Sequence, residues 1–124
     1  MNYVDANVII YALTDRETKG KKSRELLANQ RLCTSILSLD EVAYKLSKRS
    51  KKDAIAAVDI LSHSPTLLLV PFLPQDVDQF KSLLEGFDPR DAIHALTATK
   101  MRASIIYSED PDFDQLAIAR KTPW

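Results

Sequence analysis

Glycine and cysteine are both scarce in this chain of 124 residues, which contains two glycines and one cysteine. A turn-rich all-β fold needs glycine at many of its tight turns, so the low glycine content favours helices. A single cysteine, Cys33, excludes an intramolecular disulfide, and a reducing compartment is the simpler expectation. Because Cys33 lies in the mostly apolar stretch 32–37, we expect a buried structural thiol.

Long hydrophobic runs are also lacking. The longest, such as Leu67-Leu68-Leu69-Val70, are far too short to cross a bilayer, and no positive segment precedes an apolar run as in a signal peptide. A chain of 14.0 kDa has room for one hydrophobic core. We therefore expect a single soluble, cytoplasmic domain over residues 1–124, without membrane contact.

Net charge is absent as well, since 17 basic residues balance 17 acidic ones. The chain as a whole therefore has no electrostatic attraction to nucleic acid. The charges are unevenly placed, however: basic residues crowd 19–24 and 45–52, and acidic residues gather at 109–114. Binding to RNA must therefore depend on local patches.

Short apolar segments alternate with stretches of helical periodicity. This alternation predicts βαβ units and an α/β fold, with a central, mainly parallel sheet of four to five strands covered on both faces. The predicted strands are 2–5, 31–34, 67–70 and 104–107, and the predicted helices are 8–13, 19–29, one from Ser38, 50–62, one from Pro74 and one from Asp88-Pro89-Arg90.

Several local signals refine these elements. Ser38 and Glu41 have the spacing of a capping box, and Asn7 lies near the cap of the first helix. The strand 67–70 is uniformly apolar and bounded by Pro65 and Pro71, which predicts burial on both faces. The final acidic turn is followed by a short tail.

Carboxylates follow the predicted strands where each strand ends. Asp5 ends the first strand, Glu41 follows the second, Asp110 follows the fourth, and Asp91 opens the helix before the fourth. Ligands of open α/β sheets bind outside the carboxyl ends of the strands, so these acids should converge at one edge.

Clustered carboxylates repel each other unless they are protonated or bridged by cations. Oxygen ligands without a Cys/His set select Mg²⁺ or Mn²⁺, which polarise phosphate and convert bound water into hydroxide. No Gly-rich phosphate loop and no nucleophilic Ser/His/Asp set is present. The pattern therefore predicts hydrolysis of phosphodiesters.

Four segments carry a resemblance to a known family, and they occur in the family's order along essentially the whole chain. They resemble the motifs of the PIN-domain nucleases, and within them the VapC-type toxins of toxin–antitoxin pairs. The segments are Tyr3-Val4-Asp5-Ala6-Asn7, Ser38-Leu39-Asp40-Glu41-Val42, Asp88-Pro89-Arg90-Asp91-Ala92-Ile93-His94-Ala95 and Tyr107-Ser108-Glu109-Asp110-Pro111-Asp112-Phe113.

The resemblance implies a three-layer α/β/α sandwich and a metal-dependent endoribonuclease. It also implies a homodimer and an inhibitory antitoxin partner. Two positions depart from the family's pattern: Ala6 stands where Thr or Ser is common, and Glu109 adds negative charge where Asn or a basic residue is often found. The implied metal ligands and catalytic residues are Asp5, Glu41, Asp91 and Asp110.

Simpler structural interpretations compete for each acid except Asp5. Glu41 could serve only the capping box, and Asp91 could serve only the helix dipole. Asp110 competes with Asp112 as a ligand, and we favour Asp110, leaving Asp112 to shape the turn and Phe113 to fill the core.

Polar neighbours have open roles too. Asn7 either hydrogen-bonds a ligand carboxylate or caps its helix, and Ser108 is a similar candidate for a supporting or phosphate contact. His94, three residues after Asp91, could act as a general base, but a histidine in an apolar helical pattern is more often structural. A basic run either forms a solvated helix face or contacts RNA phosphates without reading sequence; it comprises Lys45, Lys48, Arg49, Lys51 and Lys52.

Three rival functions stay open. One is a housekeeping PIN nuclease in RNA maturation, and another is a non-catalytic binding module, which the intact set of acids disfavours. The third is a receiver-like phosphate switch. That class needs an aspartate at the end of the third strand, where this sequence has Val70-Pro71.

Overall fold

The computed structural model describes residues 1–124 as a five-stranded sheet with helices on both faces. The strands are β1 (Asn2–Val4), β2 (Leu32–Ser35), β3 (Leu67–Val70), β4 (Ile105–Tyr107) and β5 (Ala119–Lys121). Their order in the sheet is β3-β2-β1-β4-β5, and every pairing is parallel. The predicted α/β class and parallel sheet are confirmed.

Six α-helices connect the strands, and 3₁₀ turns cover Pro74–Asp76 and Pro111–Gln115. None of these helices combines the length and the apolar character that a membrane span requires. The helices are α1 (Ala6–Thr14), α2 (Thr18–Asn29), α3 (Ser38–Ser47), α4 (Lys51–Ser62), α5 (Val77–Leu83) and α6 (Pro89–Lys100).

The register of the central strands divides the core into two layers. Tyr3 pairs with Cys33 and with Ile106, and all three belong to the hydrophobic cluster that includes residues of α6. Their neighbours Val4 and Leu32 belong to the other cluster, with residues of α1, α3 and α4. Successive side chains of a strand point to opposite faces, so a parallel sheet buried on both sides produces this division. The predicted buried thiol of Cys33 is confirmed.

Two predictions about the sheet were wrong or incomplete. The strand 67–70 is not fully buried: it lies at an edge, and Leu68 is 47% exposed. Its apolar sequence could not distinguish an edge from a central position. The short tail after the acidic turn contains β5, which pairs with β4. The strand β5 has only three residues, two of which are charged, and its side chains are exposed or half-exposed. It therefore lacks the apolar pattern that predicts a strand.

One glycine is required by close packing. A Cβ added to Gly20 in α2 would lie 1.9 Å from the backbone oxygen of Asp15. The amide of Gly20 also donates to Oδ2 of Asp15 at 2.6 Å. This close approach fixes the start of α2 against the turn that follows α1.

Candidate active site

The carboxyl edge of the sheet collects the predicted acids. Asp5 directly follows β1 and precedes α1, and its amide donates to the carbonyl of Tyr107 at the end of β4. Glu41 lies in the first turn of α3, Asp91 lies in the first turn of α6, and Asp110 follows β4. Four separate elements therefore present these side chains from the same edge.

Asp5 is buried, with two hydrogen bonds on one carboxylate oxygen and a close ion-pair contact on the other. Oδ2 accepts from Ser108 Oγ at 2.6 Å and from Asn7 Nδ2 at 2.9 Å. Oδ1 lies 3.2 Å from Nε2 of His94. Burial raises the pKa of Asp5, while His94 and Ser108 act in the opposite direction. These donors orient a carboxylate that is expensive to bury alone.

This geometry decides between the two roles left open for Asn7. The helix begins at Ala6 and its cap position is Asp5, so Asn7 lies inside the first turn and its amide serves the Asp5 carboxylate. Ser108 has a second supporting contact, since its Oγ accepts from the amide of Asp110 at 3.0 Å.

His94 connects Asp5 to Glu41. Its Nε2 lies 2.7 Å from Oε1 of Glu41, and the imidazole is almost completely buried. An ionised carboxylate only accepts hydrogen bonds, so Nε2 donates to Oε1 of Glu41 when Glu41 is charged. Burial alone lowers the pKa of His94, but its interactions with Tyr3, Glu41 and Asp5 raise it well above its usual value.

Tyr3 anchors the other side of the imidazole. Its hydroxyl lies 2.6 Å from Nδ1 of His94 and accepts from the backbone amide of Ser35 at 3.0 Å. A chain of hydrogen bonds therefore runs from the end of β2 through Tyr3 and His94 to Glu41. These hydrogen bonds begin at the backbone amide of Ser35, and they therefore fix the imidazole relative to the sheet.

Asp91, Asp110 and Asp112 form a second carboxylate group next to the first. One oxygen from each lies within 4.8 Å of the others, and the same spacing holds for the ligand atoms of Asp5, Glu41 and His94. The pKa of Asp91 is raised to about 7 by partial burial, then by the charges of Asp110 and Asp88, and further by Asp5. Like charges crowded together raise a carboxyl pKa in this way.

The position of Asp112 refines the prediction made for the fourth motif. Its amide donates to Oδ1 of Asp110, so it shapes the turn as expected, and Phe113 is fully buried as expected. The carboxylate of Asp112 also belongs to the second group. The ligand role of Asp110, and its preference over Asp112, stay predictions.

The capping box predicted for Ser38 and Glu41 is wrong. The cap position of α3 is Leu37, and the hydroxyl of Ser38 lies 2.7 Å from Thr34 Oγ1 in the core. Glu41 is therefore free of a capping role and turns toward His94. Asp88 instead caps α6, accepting from the amide of Asp91.

Glu109 adds less negative charge to the site than the sequence suggested. Its carboxylate accepts from Lys19 at 2.7 Å and from the hydroxyl of Tyr11 at 2.7 Å. The hydrogen bond from Lys19 lowers the pKa of Glu109, and Tyr11 adds to this. The extra acid is thus compensated by a lysine from α2.

All five members of the basic run are exposed: Lys45, Lys48, Arg49, Lys51 and Lys52. Lys45 lies in the last turn of α3, Lys48 and Arg49 lie in the turn that follows, and Lys51 and Lys52 begin α4. Lys45 follows Glu41 by four residues and so shares its face of α3, and Lys48 is the C-terminal cap of that helix. The exposure fits both a solvated face and contacts to phosphate.

The sequence interpretation missed the position of His94 between two predicted ligands, and it did not consider Tyr3. The available signal was weak. His94 follows Asp91 by three residues and so shares its helix face, while Tyr3 alternates with the core residue Val4. Only the contact across the sheet identifies both as part of the site.

Comparisons with known proteins agree with this architecture. The family model described as PIN domain matches residues 3–119. VapC20 of Mycobacterium tuberculosis, described as a toxin that cleaves the sarcin-ricin loop, superposes with a TM-score of 0.81 at 17% identity, covering 96% of this chain and 97% of that one. Curated proteins give no significant match.

Two further structures are similar over nearly their full lengths. FitAcB of Neisseria gonorrhoeae has a TM-score of 0.78 at 17% identity, with 100% of this chain and 99% of that chain covered. VapBC2 of Rickettsia felis, solved on a DNA fragment from its promoter, has a TM-score of 0.74 at 18% identity, with 98% of each chain covered. At this identity the likeness establishes the fold, a PIN-like three-layer sandwich.

Proposed function

The chain belongs to the PIN-domain family, and on that premise we propose that it is an endoribonuclease dependent on Mg²⁺ or Mn²⁺ and the toxin of a toxin–antitoxin pair. The observation that carries the proposal is the set of carboxylates gathered at the carboxyl edge of the sheet. They come from four elements, and oriented hydrogen bonds hold Asp5 and Glu41.

The donor chemistry fits a hard divalent cation. Asp5, Glu41, Asp91 and Asp110 would hold the ion, since carboxylate oxygens are the ligands that Mg²⁺ and Mn²⁺ prefer. The pKa of Asp91 is raised to about 7 by partial burial and by the neighbouring acids. A bound cation would balance the negative charges of this group. When bound, such an ion supplies Lewis-acid activation of phosphate and of the attacking water.

Other residues of the chain position these carboxylates. Asn7 and Ser108 fix the orientation of Asp5, and His94 fixes Glu41 relative to Asp5. Nε2 of His94 is hydrogen-bonded to Glu41 and in ion-pair contact with Asp5, so His94 holds the two carboxylates in place. Rigid positioning of ligand carboxylates is what in-line hydrolysis of a phosphodiester requires.

The partner part of the proposal has separate support. The similar proteins from R. felis and Klebsiella pneumoniae are described as VapBC2 and as a toxin–antitoxin complex. We propose by analogy that this chain forms a homodimer and is inhibited by a cognate antitoxin protein. Expression of the chain alone should then arrest growth, and Asp91→Asn should relieve the arrest. A housekeeping nuclease would be tolerated.

Cleavage of a labelled single-stranded RNA tests the proposal directly. The parent should cleave with Mg²⁺ or Mn²⁺ and stop with EDTA, and Asp91→Asn should reduce the rate by orders of magnitude. Asp59→Asn is the matched control, because Asp59 is an exposed carboxylate of α4 that belongs to neither carboxylate group. Undiminished cleavage by pure protein in excess EDTA would overturn the metal-dependent mechanism.

A further inference from the structure

Tyr44 is a large aromatic side chain exposed beside the candidate active site. It is 55% exposed, whereas Val42 and Leu46 on the same helix are buried. Tyr44 follows Glu41 by three residues, so its ring lies on the same face of α3, one turn beyond the carboxylate. Burying apolar surface does not explain an exposed tyrosine at this position.

Two cationic side chains accompany the ring. Nζ of Lys48 lies 4.5 Å from the centroid of the Tyr44 ring, and the guanidinium carbon of Arg90 lies 5.9 Å from it. Arg90 directly precedes Asp91 in α6 and lines a cavity together with Glu41, Asp40, Leu37 and Ile93. The ring lies on the helix that carries Glu41, Lys48 is the C-terminal cap of that helix, and Arg90 lies on the helix that carries Asp91.

We propose that Tyr44, Arg90 and Lys48 form a stacking platform for single-stranded RNA. Tyr44 would stack on a base one turn from the carboxylates, while Arg90 and Lys48 contact the adjoining phosphates. The proposal rests on the proposed nuclease function and names how its substrate is held. Aromatic faces flanked by basic side chains are how proteins bind unpaired bases without reading sequence.

The relative strengths of these contacts favour a base over the present arrangement. An exposed cation–π contact raises the equilibrium constant for placing the cation over the ring by about 2- to 5-fold. Stacking of a base on an aromatic side chain contributes about 5- to 150-fold in affinity. A base can therefore displace either cation from the ring, and the displaced cation is then free to bind phosphate.

The charge of this face selects a polyanion over an apolar partner. Tyr44 and Lys45 share the face of α3 that begins at Glu41, and Lys48 and Arg49 follow directly after the helix. Asp40 is the opposing charge, and it lies at the acidic end of the helix beside Glu41. An extended strand crossing this face would meet basic residues along α3 and the carboxylates at its beginning.

The test measures binding separately from cleavage. Anisotropy of a short labelled RNA containing 2-aminopurine is followed in EDTA with the parent, Tyr44→Phe and Tyr44→Ala. We expect Tyr44→Phe to bind within about 2-fold of the parent and Tyr44→Ala to lose at least about 5-fold, together with the quenching of 2-aminopurine. Ile55→Ala is the control, because Ile55 is also a large exposed side chain, 71% exposed, on α4.

The cations have their own readout. Arg90→Gln and Lys48→Gln should each reduce the salt dependence of RNA binding by about 0.7 in log–log slope, whereas Tyr44→Ala should leave that slope unchanged. In steady-state cleavage, Tyr44→Ala should raise KM while kcat stays within about 2-fold.

The outcomes separate this proposal from the nuclease proposal. RNA binding that depends on Tyr44, without any cleavage, supports the platform and overturns the nuclease. Cleavage with unchanged binding and KM in Tyr44→Ala overturns the platform alone. If Tyr44→Ala changes the molar mass by light scattering but not RNA affinity, the face is a protein interface and the platform is wrong. A parent that binds no RNA also overturns the platform.

Discussion

Nε2 of His94 lies 2.7 Å from Oε1 of Glu41, although the two residues are 53 positions apart in the chain. The same nitrogen lies 3.2 Å from Oδ1 of Asp5. One ring nitrogen on α6 is thus hydrogen-bonded to α3 and in ion-pair contact with the residue that follows β1. The distance between two predicted ligands is set by this imidazole and by Tyr3 behind it.

Removing the hydroxyl of Tyr3 should loosen this connection. Tyr3→Phe leaves the amide of Ser35 and Nδ1 of His94 without a partner in a fully buried position, which costs about 1–3 kcal/mol of unfolding free energy. RNA cleavage should fall as well, because Glu41 loses its fixed position. Urea unfolding and cleavage rates measure the two effects.

Tyr107→Phe is the control for that prediction. The hydroxyl of Tyr107 receives one hydrogen bond, from the exposed Gln30 at 3.3 Å, so its loss should cost less. Equal urea midpoints for the two variants would show that the buried chain through Tyr3 adds nothing.

Metal-free protein should lose stability as pH rises. The pKa of Asp91 is raised from 3.8 to about 7, so between these values the native state binds more protons than the unfolded state. By linkage, the free energy of unfolding falls with rising pH through that window. Asp91→Asn should reduce this slope in EDTA, and Asp59→Asn should not. Urea midpoints from pH 4 to pH 7 test the sign, and a slope unchanged in Asp91→Asn contradicts the prediction.

Metal should stabilise the folded protein through Asp110 more than through Asp112. An ion that binds only the folded state raises Tm, and loss of a ligand reduces that increase. Asp110 is half-buried and Asp112 is exposed, so we expect Mn²⁺ to raise Tm of Asp112→Asn nearly as much as that of the parent, and that of Asp110→Asn much less. Melts with millimolar Mn²⁺ or EDTA measure this, and the reverse order would exchange the two roles.

Gly20→Ala should destabilise the fold. The added Cβ would lie 1.9 Å from the backbone oxygen of Asp15, so the first turn of α2 would have to move. This shift should lower the free energy of unfolding by about 1–3 kcal/mol. At Gly86 the added Cβ would meet only the flexible end of the Gln115 side chain, at 2.8 Å. Gly86→Ala is therefore the control, and equal losses of Tm would exclude the packing explanation.

Positions that depend on local spacing could be predicted from the sequence. Asp5 and Asp110 follow apolar strands, and parallel strands end at one edge, so their convergence follows from periodicity and topology. The N-cap position of Asp88 and the burial of Phe113 were likewise predictable, because each follows from a turn or an apolar position within a few residues.

What the tertiary structure decided were the contacts between distant segments. The spacing of Ser38 and Glu41 left a capping box open as an alternative role for Glu41. The helix begins at Ser38 with Leu37 as its cap, and the Glu41 carboxylate pairs with His94 from another layer. Glu109 looked like added negative charge until α2 brought Lys19 against it. Residues 67–70 were predicted to be buried on both faces, as in a central strand, although they form an edge strand. The periodicity of a sequence indicates which face of its helix or strand a residue occupies. Which residues contact that face depends on how the layers pack. Those contacts join residues that are far apart in the sequence, and no local pattern relates them.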